Sequence, residues 1–350
     1  MYNAAGYQQE SDRLRENIRG YLDPRCADPA VHARWNQRYQ TVRTNLLHFL
    51  GIADSGVNAS VAESVLHAAA MATDVDHTPR YIAALLEQAV VEDQSGVLDG
   101  ARAGRPYMCA LYHTGPYWLP IFSSLVRGVA CAVCIPTSMA AVKTEFLDLH
   151  RHIKRQLPAT AELRIIDMDT QSFALEAKQA VQQGYSIHLF LDGYAGSPHA
   201  ANTRRDVIVP FLDAEICCKN TVATLAALFH IPIVTAHAQR SGALQAMVTL
   251  RPLDPSPASM SRQQLAVQQT TQIYLRLAEL LRAHPRQWEG WYYFHAYLSD
   301  GYLGKLRDGA IHRAFLNGSE TERFYFSTDH RVMIDRYTLR PYRVKSRVVG

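Results

Sequence analysis

The sequence predicts an α/β protein with a central, mostly parallel sheet flanked by helices, and three observations lead there. Residues 1–99 carry apolar positions at helical spacing and no cluster of acids, bases or nucleophiles. From residue 100 to about 300, short apolar runs alternate with amphipathic stretches, the pattern of strands joined by crossover helices. From Gly301 the alternation stops, and short strand-like runs with a basic end replace it. The expected organisation is an N-terminal helical region (1–99), an α/β domain (100–300) and a C-terminal β extension (301–350).

In the first region Tyr39, Val42, Leu46, Leu47 and Leu50 recur at helical spacing before Gly51 ends the run. Residues 61–71 and 81–91 are further amphipathic stretches, expected to pack on the domain that follows. Residues 108–112 are an apolar run bounded by glycines and read as a buried strand. Thr114 is then the expected N-cap of a helix reaching 126, with Pro116 in its first turn. A strand at 129–135, a helix at 140–156, a strand at 163–166, a helix at 172–183 and a strand at 186–191 follow. After the loop from Asp192 to His199, residues 207–211 are extended and 220–229 helical. Residues 231–238 and 244–250 pair across Arg240-Ser241-Gly242, and a long helix at 261–283 ends at His284-Pro285. In the tail, 323–327 and 337–344 are strand-like, and Arg340, Arg343, Lys345 and Arg347 form either a solvated face or a docking surface for an acidic partner.

Composition excludes several classes. The 350 residues carry 36 Lys and Arg against 32 Asp and Glu, and a net charge of +4 without a zinc-finger or RNP pattern gives no case for nucleic acid. The six cysteines do not make a disulfide framework for a chain this long, and free thiols suit a reducing compartment. Cys131 and Cys134 have redox or zinc spacing but lie in a strand, where they point to opposite faces, so a core role is expected. No window reaches the 18 apolar residues of a membrane span, and no signal-peptide pattern opens the chain; the expectation is a cytoplasmic protein with no integral membrane association.

The corner at residues 112–118 is where chemistry is expected. It puts His113 at the C-terminal end of a strand, where open α/β sheets bind ligands. A lone histidine there reads as a turn cap, or as a base beside helix N–H groups able to hold negative charge. Tyr107, Tyr112, Tyr117 and Trp118 crowd the corner, either as core or as the wall of a small pocket.

Five stretches in order resemble the LpxL/HtrB-type lipid A acyltransferases of the broader lysophospholipid acyltransferase group. His113 stands where that family has the histidine of its His-x4-acid motif. Residues 184–196, with Asp192 before a glycine-containing loop, resemble its strand ending in aspartate, and the stretch from Val209 to Ala214, with Pro210-Phe211, resembles its Pro-Phe-Phe-Gly segment. Thr224-Leu225-Ala226 with Ile231-Pro232-Ile233-Val234 is similar to its next helix and strand. His284-Pro285-Arg286-Gln287-Trp288, then Trp291 and His295, is similar to its closing Pro-x-Gln-Trp signature. The resemblance covers residues 100–298 and implies acyl transfer from a CoA or carrier-protein phosphopantetheine thioester, with no bound cofactor; no metal is expected, because the sequence has no His-Glu-x-x-His or comparable cluster. It makes His113 the base.

Two departures shape the expectation. The family's acid would stand at position 118, where this chain has Trp118, and indole can neither accept a hydrogen bond from imidazole nor balance its charge. Asp192, ending another strand, is the leading substitute, against a role bracing the glycine loop; Glu145 and Asp148 are weaker candidates. The second departure is a helical region in place of the family's membrane anchor, which points to a water-soluble or carrier-tethered acceptor. An amine acceptor, in preference to a hydroxyl, suits the missing acid, because a neutral amine attacks a thioester without prior deprotonation. Tyr117 and Trp118 are expected at the substrate, and Arg151, Arg204 and Arg205 at a donor phosphate; Lys143 and Arg155 read as a solvated face. The expected activity is a soluble acyl or aminoacyl transferase of specialised metabolism. The rivals are a thioester hydrolase and an inactive partner of a carrier protein.

Overall fold

The structure, a computed structural model, describes residues 4–52, 54–94, 96–193, 206–257, 259–299, 324–327, 332–335 and 341–343. The first helices are α1 (Ala4–Leu22), α2 (Pro29–Leu50), α3 (Ser55–Met71) and α4 (Pro79–Gln88). Their ends are coded locally: the Asp28 side chain accepts from the N–H groups of Ala30 and Val31, and Gly51 closes α2 at φ 64°. The sequence expectation of one helix over 81–91 is corrected here. The helix stops at Gln88, and β1 (Val90–Asp93) joins the edge of the central sheet with Val90 opposite Met247. A distant ladder partner decides the conformation of those four residues, which local periodicity does not see. The N-terminal region therefore contributes an edge strand as well as helices.

The chain continues through α5 (Val97–Arg102), β2 (Met108–Leu111), α6 (Leu119–Val126), β3 (Cys131–Ile135), α7 (Ala140–Gln156), β4 (Leu163–Asp167), α8 (Phe173–Gln182) and β5 (Ser186–Phe190). Then come β6 (Asp206–Phe211), β7 (Ala214–Lys219), α9 (Thr221–Phe229), β8 (Ile233–Gly242), β9 (Gln245–Pro252) and α10 (Arg262–Ala283). The main sheet has the order β1-β9-β8-β2-β5-β3-β4, parallel except for the antiparallel β8–β9 pair. The fold is thus α/β, a seven-stranded, mostly parallel sheet flanked by helices. The expected β8–β9 turn moves: Gly242 is paired with Gln245, and Ala243-Leu244 makes the turn with Leu244 at φ 58°. A register shift between Arg240 and Gly242 lets the strand run on past the serine and glycine that read as a turn. β6 and β7 form a separate antiparallel ribbon, and β10 (Phe324–Ser327), β11 (Val332–Asp335) and β12 (Pro341–Arg343) a three-stranded antiparallel sheet.

The central strands are buried on both sides, as a helix-covered parallel sheet requires. Met108, Ala110, Ala132 and Cys134 face a core shared with α2, α8, α9 and α10. Cys109, Leu111, Cys131 and Val133 face the other, shared with α4, α6 and α7. Cys131 and Cys134 therefore point to opposite faces, and the six cysteines are all free thiols. Among the described residues no helix is long and apolar enough to cross a membrane.

The sheet also buries His188 completely, with neither ring nitrogen hydrogen-bonded, and burial pushes its pKa from the ordinary 6.5 to about 3. The native ring stays neutral while the unfolded chain takes up a proton below pH 6.5, so stability falls as pH drops through that range. About 2 kcal/mol is lost between pH 7 and pH 5 on this account. Thermal unfolding of His188→Leu at both pH values is expected to show a gain over the natural chain that is larger at pH 5.

Candidate active site

β2 and β5 are parallel neighbours with Leu111 opposite Phe190, and two residues further along each chain stand His113 and Asp192. Equal register on adjacent strands thus brings both side chains to the same C-terminal edge. Asp192 is 2 % exposed and accepts from His113 Nδ1–H at 2.7 Å, from the His113 backbone N–H at 2.9 Å and from Trp288 Nε1–H at 2.6 Å. A carboxylate only accepts, so this contact fixes the proton on Nδ1 and leaves the Nε2 lone pair free. Burial is the largest influence on the His113 ring and works against its charge. The charge and hydrogen bond of Asp192, with the charge of Glu289, outweigh burial and raise the pKa above its ordinary value.

The segment after α10 laces this corner together. Thr114 bridges Trp288 as an isolated antiparallel pair, the Glu289 N–H donates to the His113 carbonyl at 3.0 Å, and the Gly115 N–H donates to the Gln287 carbonyl at 2.8 Å. The Gln287 amide in turn grips the backbone of Arg240, accepting from its N–H at 2.7 Å and donating to its carbonyl at 2.9 Å. Gly115 sits at φ 52°, and a Cβ there would lie 2.8 Å from both the Ala238 carbonyl oxygen and Gln287 Oε1. Gly115→Ala is therefore expected to destabilise the protein by at least about 1–3 kcal/mol, read as a drop in Tm.

The expected capping at this corner is corrected. Thr114 does not cap a helix, because α6 begins only at Leu119. Between them, the N–H groups of Gly115 and Tyr117 donate to the carbonyls of Gln287 and Gly115, and that of Leu119 to Pro116. The left-handed Gly115 followed by Pro116 turns the chain before a helix can start. His113 is thus not flanked by a row of bare helix N–H groups. Trp118 is buried against Phe146 at 4.1 Å and His77 at 4.9 Å, ring centre to ring centre, and serves as wall.

His113 opens onto a cavity of about 450 Å³, larger than the small pocket expected from the sequence. Its walls are mainly apolar, among them Tyr117, Trp118, Ile135, Val142, Phe146 and Phe190. Gly193 lies against the imidazole, where a Cβ would come within 3.2 Å of Cε1. Cys134 also lines the cavity, but burial pushes its thiol up and keeps it protonated. Tyr117 too is held protonated by burial. Tyr107 and Tyr112 belong to the core instead; the Tyr112 hydroxyl donates to the Ile273 carbonyl at 2.7 Å.

Of the other expected site residues, Arg151 is corrected: it is exposed on α7 and paired with Asp148 at 2.5 Å, one turn back, outside the cavity wall. Lys143 pairs with Asp167 at 2.5 Å, and Glu145 stands 4.0 Å from His77. Neither Glu145 nor Asp148 reaches His113. Arg204 and Arg205 lie outside the described residues. Sequence reasoning missed Glu289, which lines the cavity, and the role of Trp288 as a donor to Asp192. Their signal was the closing Gln287-Trp288 motif, whose place beside His113 only the fold reveals. Among the described residues no group of His, Cys, Asp and Glu is suited to hold a metal ion. A scan of the chain against protein-family models finds no match, and a search of curated proteins finds none either.

Proposed function

We propose that this protein is an acyltransferase that moves an acyl group from a CoA or carrier-protein thioester to an amine. One observation carries the reading: a histidine with its Nδ1–H held at 2.7 Å by a buried carboxylate opens onto a largely apolar cavity. The order of motifs that resembles the lipid A acyltransferases supports the same chemistry. Asp192 takes the part of the acid that Trp118 displaces from the family motif. The cavity suits an apolar acyl or aryl group, and the thioester carbonyl sits at its mouth beside Nε2. As the acceptor nitrogen bonds to the carbonyl carbon, His113 Nε2 takes a proton from it, and Asp192 stabilises the imidazolium. The C–S bond then breaks, and the departing sulfur receives that proton. The protonated Tyr117 hydroxyl, on the same wall, is the donor assigned to the carbonyl oxygen in place of helix N–H groups. The free cysteines suit a reducing compartment such as the cytoplasm, where a carrier-bound or CoA thioester is at hand.

The test is to incubate the full chain with acyl-CoA and acyl-carrier thioesters, with and without amines, and identify products by mass. Amide with free thiol is the expected result. Free acid alone would make the protein a hydrolase, and binding without turnover would make it an interaction partner; either overturns the reading.

A further inference from the structure

One charged group in the cavity has no part in the proton relay described above. Glu289 follows Trp288 in the segment that laces the corner, and its backbone N–H is tied to the His113 carbonyl at 3.0 Å. Its half-buried carboxylate lines the same cavity as His113, close enough for each charge to act on the other. Among the described residues that carboxylate makes no hydrogen bond and no ion pair. A carboxylate left without a partner on a mainly apolar wall is costly, and a cationic ligand removes the cost. Lys219 lines the same cavity, and Arg38 acts on Glu289 only through its field.

We propose that Glu289 is the acceptor-binding carboxylate, holding a primary alkylammonium beside His113; this rests on the acyltransferase reading. Proton counting favours the assignment. An alcohol loses one proton on becoming an ester oxygen, and His113 alone suffices. An ammonium loses two on becoming an amide nitrogen, so its site needs two bases. Glu289 takes the first proton and frees the nitrogen lone pair, which forms the C–N bond. His113 Nε2 takes the second and delivers it to the sulfur as the C–S bond breaks, and Glu289 returns the first to water. The balance is ammonium plus thioester giving amide, thiol and one proton. Burial raises the pKa of Glu289 and narrows its gap to an amine, which eases the first transfer.

Titration calorimetry of the full chain at pH 7 with n-hexylamine and 1-hexanol tests the assignment without any thioester. The natural chain is expected to bind the ammonium about tenfold or more tightly than the alcohol, the scale of one charge-assisted contact. Glu289→Gln is expected to erase that preference, and Glu289→Asp to keep part of it. Equal binding of the two probes by the natural chain, or an unchanged preference in Glu289→Gln, would overturn the proposal. Failure to turn over any thioester would instead sink the acyltransferase reading and leave the ammonium preference standing, so the two failures are distinct.

Discussion

His113→Ala is expected to lower acyl transfer by about 10²–10⁴ while leaving the fold intact, the range of a positioned general base. The reason lies in what the ring touches. Nδ1 is engaged by Asp192, so the only nitrogen able to take the acceptor's proton is Nε2, on the cavity side. The backbone contacts of residue 113, its N–H to Asp192 and its carbonyl to Glu289, do not depend on the imidazole. Circular dichroism and Tm should therefore stay close to those of the natural chain while turnover collapses. A fully active His113→Ala protein would remove the mechanism.

Asp192→Asn is expected to cost about 10⁴ in kcat, as the same change does in a Ser-His-Asp triad. An asparagine turned so that its NH₂ faces Nδ1 stabilises the tautomer with the proton on Nε2, which has no lone pair to offer. The change also removes the negative charge that supports the imidazolium. Trp288 Nε1–H and the His113 N–H keep the other oxygen, Oδ2, as a carbonyl acceptor, so the loss is expected in chemistry more than in folding. An imidazole ¹⁵N spectrum checks this directly: the natural chain should show protonated Nδ1 above its pKa, and Asp192→Asn protonated Nε2.

The sheet was legible because its central strands are apolar on both faces, and the long helices on either side of that region in the chain, α2 and α10, carry local caps in Asp28, Gly51 and the Ser261–Gln264 capping box. What escaped depends on partners far along the chain. Val90–Asp93 becomes a strand only against Met247–Leu250, and Ala214–Lys219 only against Asp206–Phe211. The two side chains at the heart of the site were legible singly, as residues ending strands. That they touch follows from β2 lying beside β5 in equal register, which no local pattern encodes. The corner itself misled: Thr114 and Pro116 have the look of a helix start, but the left-handed Gly115 between them and its bond to Gln287 send the chain another way. Glu289 belongs to no spacing rule, and its nearness to His113 comes from the bridge between Thr114 and Trp288. Arg151 failed for an ordinary reason: a helical neighbour three residues back, Asp148, already holds it at the surface.

The central claim is that an Asp192-bound His113 acts as the base of acyl transfer, and the pH dependence of amide formation tests it most directly. Only the neutral ring can take a proton, so the rate must rise with pH through the His113 pKa, which Asp192 and Glu289 hold above the ordinary 6.5. The account expects an acid limb centred above pH 6.5 in the natural chain. In Asp192→Asn burial is the larger remaining influence, so the residual activity should show a limb shifted below that value. A rate independent of pH between 5 and 8, or a limb that survives unchanged in Asp192→Asn, would contradict it.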